Sequence, residues 1–117
     1  MTILLKRAYD EPADDDGHRV LVDRLWPRGL AKDKARIDEW IKEAAPTDDL
    51  RKAFHSEELG WGEFRQRYLA ELKEQRETLR PLAERSQQHQ VTLVFSSKDE
   101  THNNAVVLKD YLAMLTG

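Results

Sequence analysis

The chain has 117 residues, 39% hydrophobic and 35% charged, with a formal net charge of −3 and no cysteine, which suits one domain with a single modest core. The missing cysteine excludes disulfides, thiolate nucleophiles and Cys-bound zinc and favours the reducing cytosol, and the acidic balance argues against a dedicated duplex-DNA binder. No apolar run approaches the roughly 18–20 residues that cross a bilayer, and the opening MTILLKRAYD lacks the order of a signal peptide, so the expectation is a cytoplasmic protein with no membrane contact.

The first predicted strand covers 2–6 with Ile3, Leu4 and Leu5, and places Arg7 at its carboxyl end. Residues 10–18 (DEPADDDGH) then form a loop, marked by Pro12, Gly17 and the clustered carboxylates of Asp10, Asp14, Asp15 and Asp16. Their spacing lacks the alternation and closing Glu of an EF-hand, so this is read as a solvated acidic turn rather than a calcium site. A second strand is predicted over 19–25, a weaker third over 36–42 from the alternation of Ile37, Glu39 and Ile41, and a fourth over 91–95. Continuous apolar runs suit strands covered on both faces, as in a parallel sheet.

Helices fill the middle and the end of the chain. Pro46 and Thr47 open a short one, with Thr47 as N-cap and Asp48 and Asp49 in its first turn. Trp61, Phe64, Tyr68, Leu69 and Leu72 recur at helical spacing and predict an amphipathic helix over 61–75. Another is expected over 81–88 with Pro81 in its first turn, and a last one from about 103, capped by Asn103 or Asn104. Strands, helices, strand, helix describe a single three-layer α/β domain spanning 1–117. Its small, mainly parallel sheet has about four strands flanked by helices.

Ligands of open α/β sheets bind beyond the carboxyl ends of the strands, and two segments lie there. The first follows the second strand and carries Asp23, Arg24, Trp26, Pro27, Arg28 and Gly29. Guanidinium groups recognise phosphate or carboxylate bidentately, and Pro27 and Gly29 would set their directions. Between 24 and 36 stand five basic residues (Arg24, Arg28, Lys32, Lys34, Arg36) against Asp33. The structural alternative is that Asp23 pairs with Arg24 while Trp26 plugs the core. The second segment, 96–104, offers Ser96, Ser97, Lys98, Asp99, His102, Asn103 and Asn104 at a helix start, where free N–H groups and the helix dipole attract anions. Imidazole exchanges protons near neutral pH. Lys42 and His55 are secondary candidates for a pocket rim, while Trp40, Phe54, Trp61, Phe64 and Tyr68 read as core.

No G-x-S-x-G elbow, P-loop, G-x-G-x-x-G or H-E-x-x-H occurs, and the four histidines show no i, i+4 pair. No cofactor and no metal is therefore predicted.

KRAYD (6–10), RVLVDRLWPRG (19–29), DEWIKEAAP (38–46), LRKAFH (50–55), FRQRYLAEL (64–72) and VTLVFSSKDETHNNAVVLKDYL (91–112) together make the chain similar to the domain of unknown function 488 family, in its short YeaO-like branch. The resemblance implies an α/β fold over nearly the whole chain and supplies no settled activity. Phe95 and Asn103 stand where the longer branch of that family has cysteines, so no thiol role carries over. A looser similarity, strand–Asp–x–Arg with a loop after a later strand, is to rhodanese-like domains, whose cysteine nucleophile is absent here. Neither implies sulfur transfer.

The function expected from the residues is a pocket for a small anionic ligand, phosphate- or nucleotide-like. Arg7, Arg24, Trp26, Arg28, Gly29, Ser96, Ser97, Lys98, Asn103 and Asn104 would bind it, and Asp23, Asp99 and His102 are the acid–base candidates for any chemistry. The alternative is a non-enzymatic module that uses the basic stretch on nucleic acid or an acidic protein.

Overall fold

The computed structural model describes residues 2–116. Four parallel strands, β1 (Ile3–Arg7), β2 (His18–Leu21), β3 (Glu39–Trp40) and β4 (Val91–Phe95), form one sheet in the order β1-β4-β2-β3. Arg7 lies opposite Phe95, and Leu21 opposite both Val94 and Trp40. All four strands therefore end along one edge.

Five helices complete the domain: α1 (Lys32–Ala35), α2 (Asp48–His55), α3 (Trp61–Glu74), α4 (Arg76–Gln88) and α5 (Asn104–Thr116). None of the described helices is long and apolar enough to cross a membrane. One sheet face carries Ile3, Val20, Val22, Val91, Leu93 and Phe95, which join Phe64, Tyr68, Leu72, Leu79, Leu108 and Leu112 in the main core. The other face has a thinner cover, with Ala8, Leu21 and Val94 packed under Trp26, Leu30, Ile37 and Trp40. Both faces of β4 are buried along its whole length, which accounts for its uninterrupted apolar run.

The α/β fold matches the sequence expectation, and several boundaries differ. β3 has two residues rather than seven because Arg36 takes a left-handed conformation (φ 50) and cannot extend a strand. β2 stops at Leu21, short of Leu25. Beyond it Val22 still donates to the Val94 carbonyl, but Asp23 turns away to bind other partners. Helix α4 starts at Arg76, so Pro81 lies inside it and not in its first turn; Gln75 ends α3 and begins α4 with hardly a break.

The loop between β1 and β2 is not simply a solvated acidic turn. Asp16 is buried, and its carboxylate accepts from Arg19 at 2.6 Å, Lys6 at 3.1 Å and the Ala13 amide at 3.0 Å. Arg19, also buried, donates further to the Ala35 carbonyl, which fixes α1. The Thr92 hydroxyl donates to the Asp16 carbonyl at 2.6 Å. Gly17 follows at φ +70, and a Cβ there would approach the Gln90 carbonyl oxygen to 2.3 Å. That oxygen accepts from the His18 amide, so the chain requires a residue without a side chain at this point.

Candidate functional site

Beyond the strand ends lies a hollow of about 580 Å³, within the range of small-molecule sites. Loops after β1, β2 and β4 form one side, and α2 with the segment before it forms the other. Of the thirteen residues proposed from sequence, eleven line it: Arg7, Asp23, Arg24, Trp26, Arg28, Ser96, Ser97, Lys98, His102, Asn103 and Asn104. The two segments about seventy residues apart thus share one cavity.

Asp23 ties these segments together. One carboxylate oxygen accepts from the Ser96 amide at 2.9 Å and the Ser96 hydroxyl at 2.6 Å, and the other accepts from the Asn104 amide at 3.0 Å. Asn104 also donates to the Val22 carbonyl, and the Trp40 indole donates to the Asp23 carbonyl at 2.7 Å. Asn103 is the cap of α5, accepting from the Val106 amide and donating to the Asp99 carbonyl. Asp23 does not pair with Arg24, which donates instead to the carbonyls of Pro46 (3.2 Å) and Ala45 (3.3 Å). Those bonds hold the segment leading to α2, whose cap Thr47 is bound in turn by Glu71. Below it the Tyr68 hydroxyl donates to the Ala44 carbonyl, and burial, with the Asp23 and Glu71 charges, pushes its ionisation well above the ordinary tyrosine range.

Two proposed residues are not in the lining. Asp99 turns its carboxylate into its own loop, accepting from the amides of Thr101 and His102 and the Thr101 hydroxyl. The His102 and Thr101 amides hold that carboxyl below its usual range, which makes Asp99 a turn-former rather than an acid–base group facing the hollow. Gly29, exposed at φ +77, occupies the third position of a turn closed by the Leu30 amide on the Pro27 carbonyl. It contributes by placing Arg28, its neighbour in that turn. Lys42 lies over the Trp40 ring at 4.3 Å and away from the cavity.

The cations divide by how much of their hydrogen bonding is already used. Arg7 donates to the Ser97 carbonyl at 2.9 Å and sits 5.5 Å from the Tyr9 ring centre, and Tyr9 donates to the Arg28 carbonyl. The side chains of Arg28 and Lys98 are exposed and bind no group among the described residues. Five Lys or Arg residues (Arg7, Arg24, Arg28, Arg51, Lys98) line the hollow against one carboxylate, that of Asp23.

Arg51, Phe54, His55 and Phe64 form the wall that the sequence reading left out of the site, apart from His55 as a rim candidate. Phe54 stacks on Phe64 at 4.2 Å, and the His102 ring stacks on Trp61 at 4.6 Å. The Nε of Arg51 is buried and has no acceptor. The i, i+3, i+4 spacing of Arg51, Phe54 and His55 was a signal that they share a helix face, though not that this face meets the strand ends. Trp26 has both roles considered for it: it packs edge-on against Trp40 at 5.6 Å, donates to the Leu30 carbonyl, and borders the cavity. Among the described residues no three His, Asp or Glu side chains come together as metal ligands.

Comparison with known proteins places this geometry in a family. The chain is 46% identical over 115 residues to Uncharacterized protein YeaO of Escherichia coli K12, covering 98% of this chain and 100% of that protein. It is 38% identical over 112 residues to Uncharacterized protein Rv3073c of Mycobacterium tuberculosis H37Rv and to Uncharacterized protein Mb3100c of Mycobacterium bovis, covering 94% of this chain and 92% of each relative. No solved structure matches. A family model spans residues 2–116, and the chain belongs to the group it describes, the inactive DUF488-N3 subclade.

Proposed function

We propose that this protein binds a small phosphate-bearing anion in the hollow beyond the strand ends and acts as a binding protein rather than a catalyst. The observation that carries this reading is the charge of the lining: five cations around one carboxylate in a chain whose net charge is −3. That carboxylate is bound by Ser96 and Asn104, and the cations outnumber it. Arg28 and Lys98 supply free donors at the mouth, and the Ser97 hydroxyl, which accepts from the Asp99 amide, keeps its proton to donate.

Of the three acid–base candidates, Asp23 is engaged in holding the loops and Asp99 faces elsewhere, leaving only His102 at the cavity. His55 and His102 both line the hollow, but among the described residues neither ring is hydrogen-bonded to a hydroxyl nucleophile or to a carboxylate, which makes a poor catalytic constellation. The description of the family as inactive agrees with binding without turnover.

The nucleic-acid alternative has less support. Lys34 and Arg36 border a second hollow that they share with Asp10, Glu11 and Asp33, which breaks the positive stretch.

Thermal melting with millimolar phosphate, pyrophosphate, sugar phosphates and nucleotides tests the reading. A ligand at 100 times its Kd adds about 2.7 kcal/mol to stability, and at least one member should raise the melting temperature. Because the side chains of Arg28 and Lys98 are exposed and unpartnered, Arg28→Ala and Lys98→Ala should each leave the unliganded melting temperature in place. Each should weaken binding about tenfold or more, since hydrogen bonds to charged groups contribute about 1.5–3 kcal/mol. Absence of any shift across the panel defeats the proposal, and binding that falls by several decades between low and physiological salt would favour a nucleic-acid backbone instead.

A further inference from the structure

We infer that the hollow is divided in two and takes a nucleoside monophosphate, with the phosphate at the Arg28–Lys98 mouth and the base against the aromatic wall made by α2 and His102. This rests on the phosphate reading above and goes beyond it by naming the body that carries the phosphate.

Three observations lead there. The first is room: about 580 Å³ far exceeds what a phosphate group occupies, so the ligand brings a larger body with it. The second is the distribution of chemistry. The free cations stand on the loops after β2 and β4, whereas rings line the α2 side and the end of the loop after β4, where His102 meets Trp61. Phe54 is backed by Phe64 at 4.2 Å, and His102 is backed on one face by Trp61 at 4.6 Å while the ring also borders the cavity. A flat heterocycle stacks on such surfaces whatever its identity.

The third is what the wall lacks. Hydroxyl-rich ligands are held by carboxylate and amide side chains, and here most of that capacity is used: Asp23 accepts from Ser96 and Asn104, the Asn104 NH2 donates to Val22 and Asp23, and Asn103 makes its cap bonds. A sugar phosphate would leave its hydroxyls facing rings.

Isothermal titration with inorganic phosphate, ribose 5-phosphate, and adenosine and uridine 5′-monophosphates tests the assignment. A nucleoside monophosphate should bind at least about tenfold more tightly than ribose 5-phosphate, the factor that ~1.4 kcal/mol of stacking supplies. His102→Ala should remove that excess and leave ribose 5-phosphate affinity unchanged. His102 is exposed and its bond to Asp99 runs through the backbone amide, so the variant keeps the turn, which an unchanged melting temperature checks. Equal affinity for ribose 5-phosphate and the nucleotides overturns the inference and leaves the phosphate site standing. An equal loss for both ligands in His102→Ala puts that ring on the phosphate and also overturns it, as does a nucleotide preference that His102→Ala leaves intact. Failure of all four ligands to bind removes the underlying phosphate reading itself.

Discussion

Asp16→Ala should destabilise the protein by about 3–5 kcal/mol, the cost of removing one partner from a buried ion pair. Arg19 would then be left with a buried guanidinium and only the Ala35 carbonyl as acceptor, while Lys6 and the Ala13 amide each lose a bond. Urea unfolding at neutral pH measures the loss through the midpoint shift at constant slope. Pairing the change with Arg19→Met should recover part of it, because replacing both charges by apolar groups removes the unpaired charge. A loss under about 1 kcal/mol for Asp16→Ala alone would mean that water reaches this pair.

The same group makes stability depend on acid. Burial pushes the Asp16 carboxyl upward, but the Ala13 amide, Lys6 and Arg19 together outweigh it and hold the folded value below the ordinary 3.8. A depressed folded value means that the unfolded chain binds the proton more readily. The contribution is therefore complete above the unfolded carboxylate value of about 3.9 and is lost as pH falls through the lower folded one. Asp16→Asn should flatten the pH dependence of stability below about pH 4, read from urea midpoints across that window.

Asp23→Asn is expected to cost about 3–4 kcal/mol, because three charge-assisted hydrogen bonds converge on this carboxylate and share it without adding fully. Whichever way the new amide turns, its NH2 meets a donor: the Ser96 amide on one side or the Asn104 amide on the other. The Ser96 hydroxyl can rotate to accept, but a backbone N–H cannot. The prediction separates scaffold from ligand contact. The substitution removes the only carboxylate among the described residues of the lining, so the phosphate-induced rise in melting temperature should persist in Asp23→Asn although the baseline drops. In Arg28→Ala the baseline should hold and the rise should shrink. The reverse pattern would make Asp23 a ligand-facing group.

How far this could be read from sequence depended on the range of the interaction. The sheet followed from uninterrupted apolar runs, and Asn103 and Asn104 at the start of a helical period marked a cap, a role that Asn103 takes. DRLWPRG and SSKDETHNN were recognisable as a shared rim because strand ends of a parallel sheet converge. What each side chain does there was not legible. Asp23 and Arg24, adjacent in sequence, looked like a pair, yet each is drawn to groups more than twenty residues away. Asp16 looked like one acid in a solvated run, since no local pattern announces that Lys6 and Arg19 will close over it. The helical spacing of Arg51, Phe54 and His55 defined a face, but the neighbour of that face is set by where the segment after β3 leads.

The position of β4 governs how the molecule is assembled. This strand lies between β1 and β2, pairing Val91 with both Ile3 and His18, so the two early strands do not pair with each other and join one sheet only when a segment from the far end of the chain inserts between them. During synthesis β1 has no partner and β2 only the short β3 until residues 91–95 leave the ribosome. Such long-range closure is slow for a chain of this size, and shortened products ending before β4 would expose unpaired edges that invite aggregation. The ligand hollow inherits the same schedule, because Ser96 and Asn104, which pin Asp23, arrive only with that strand.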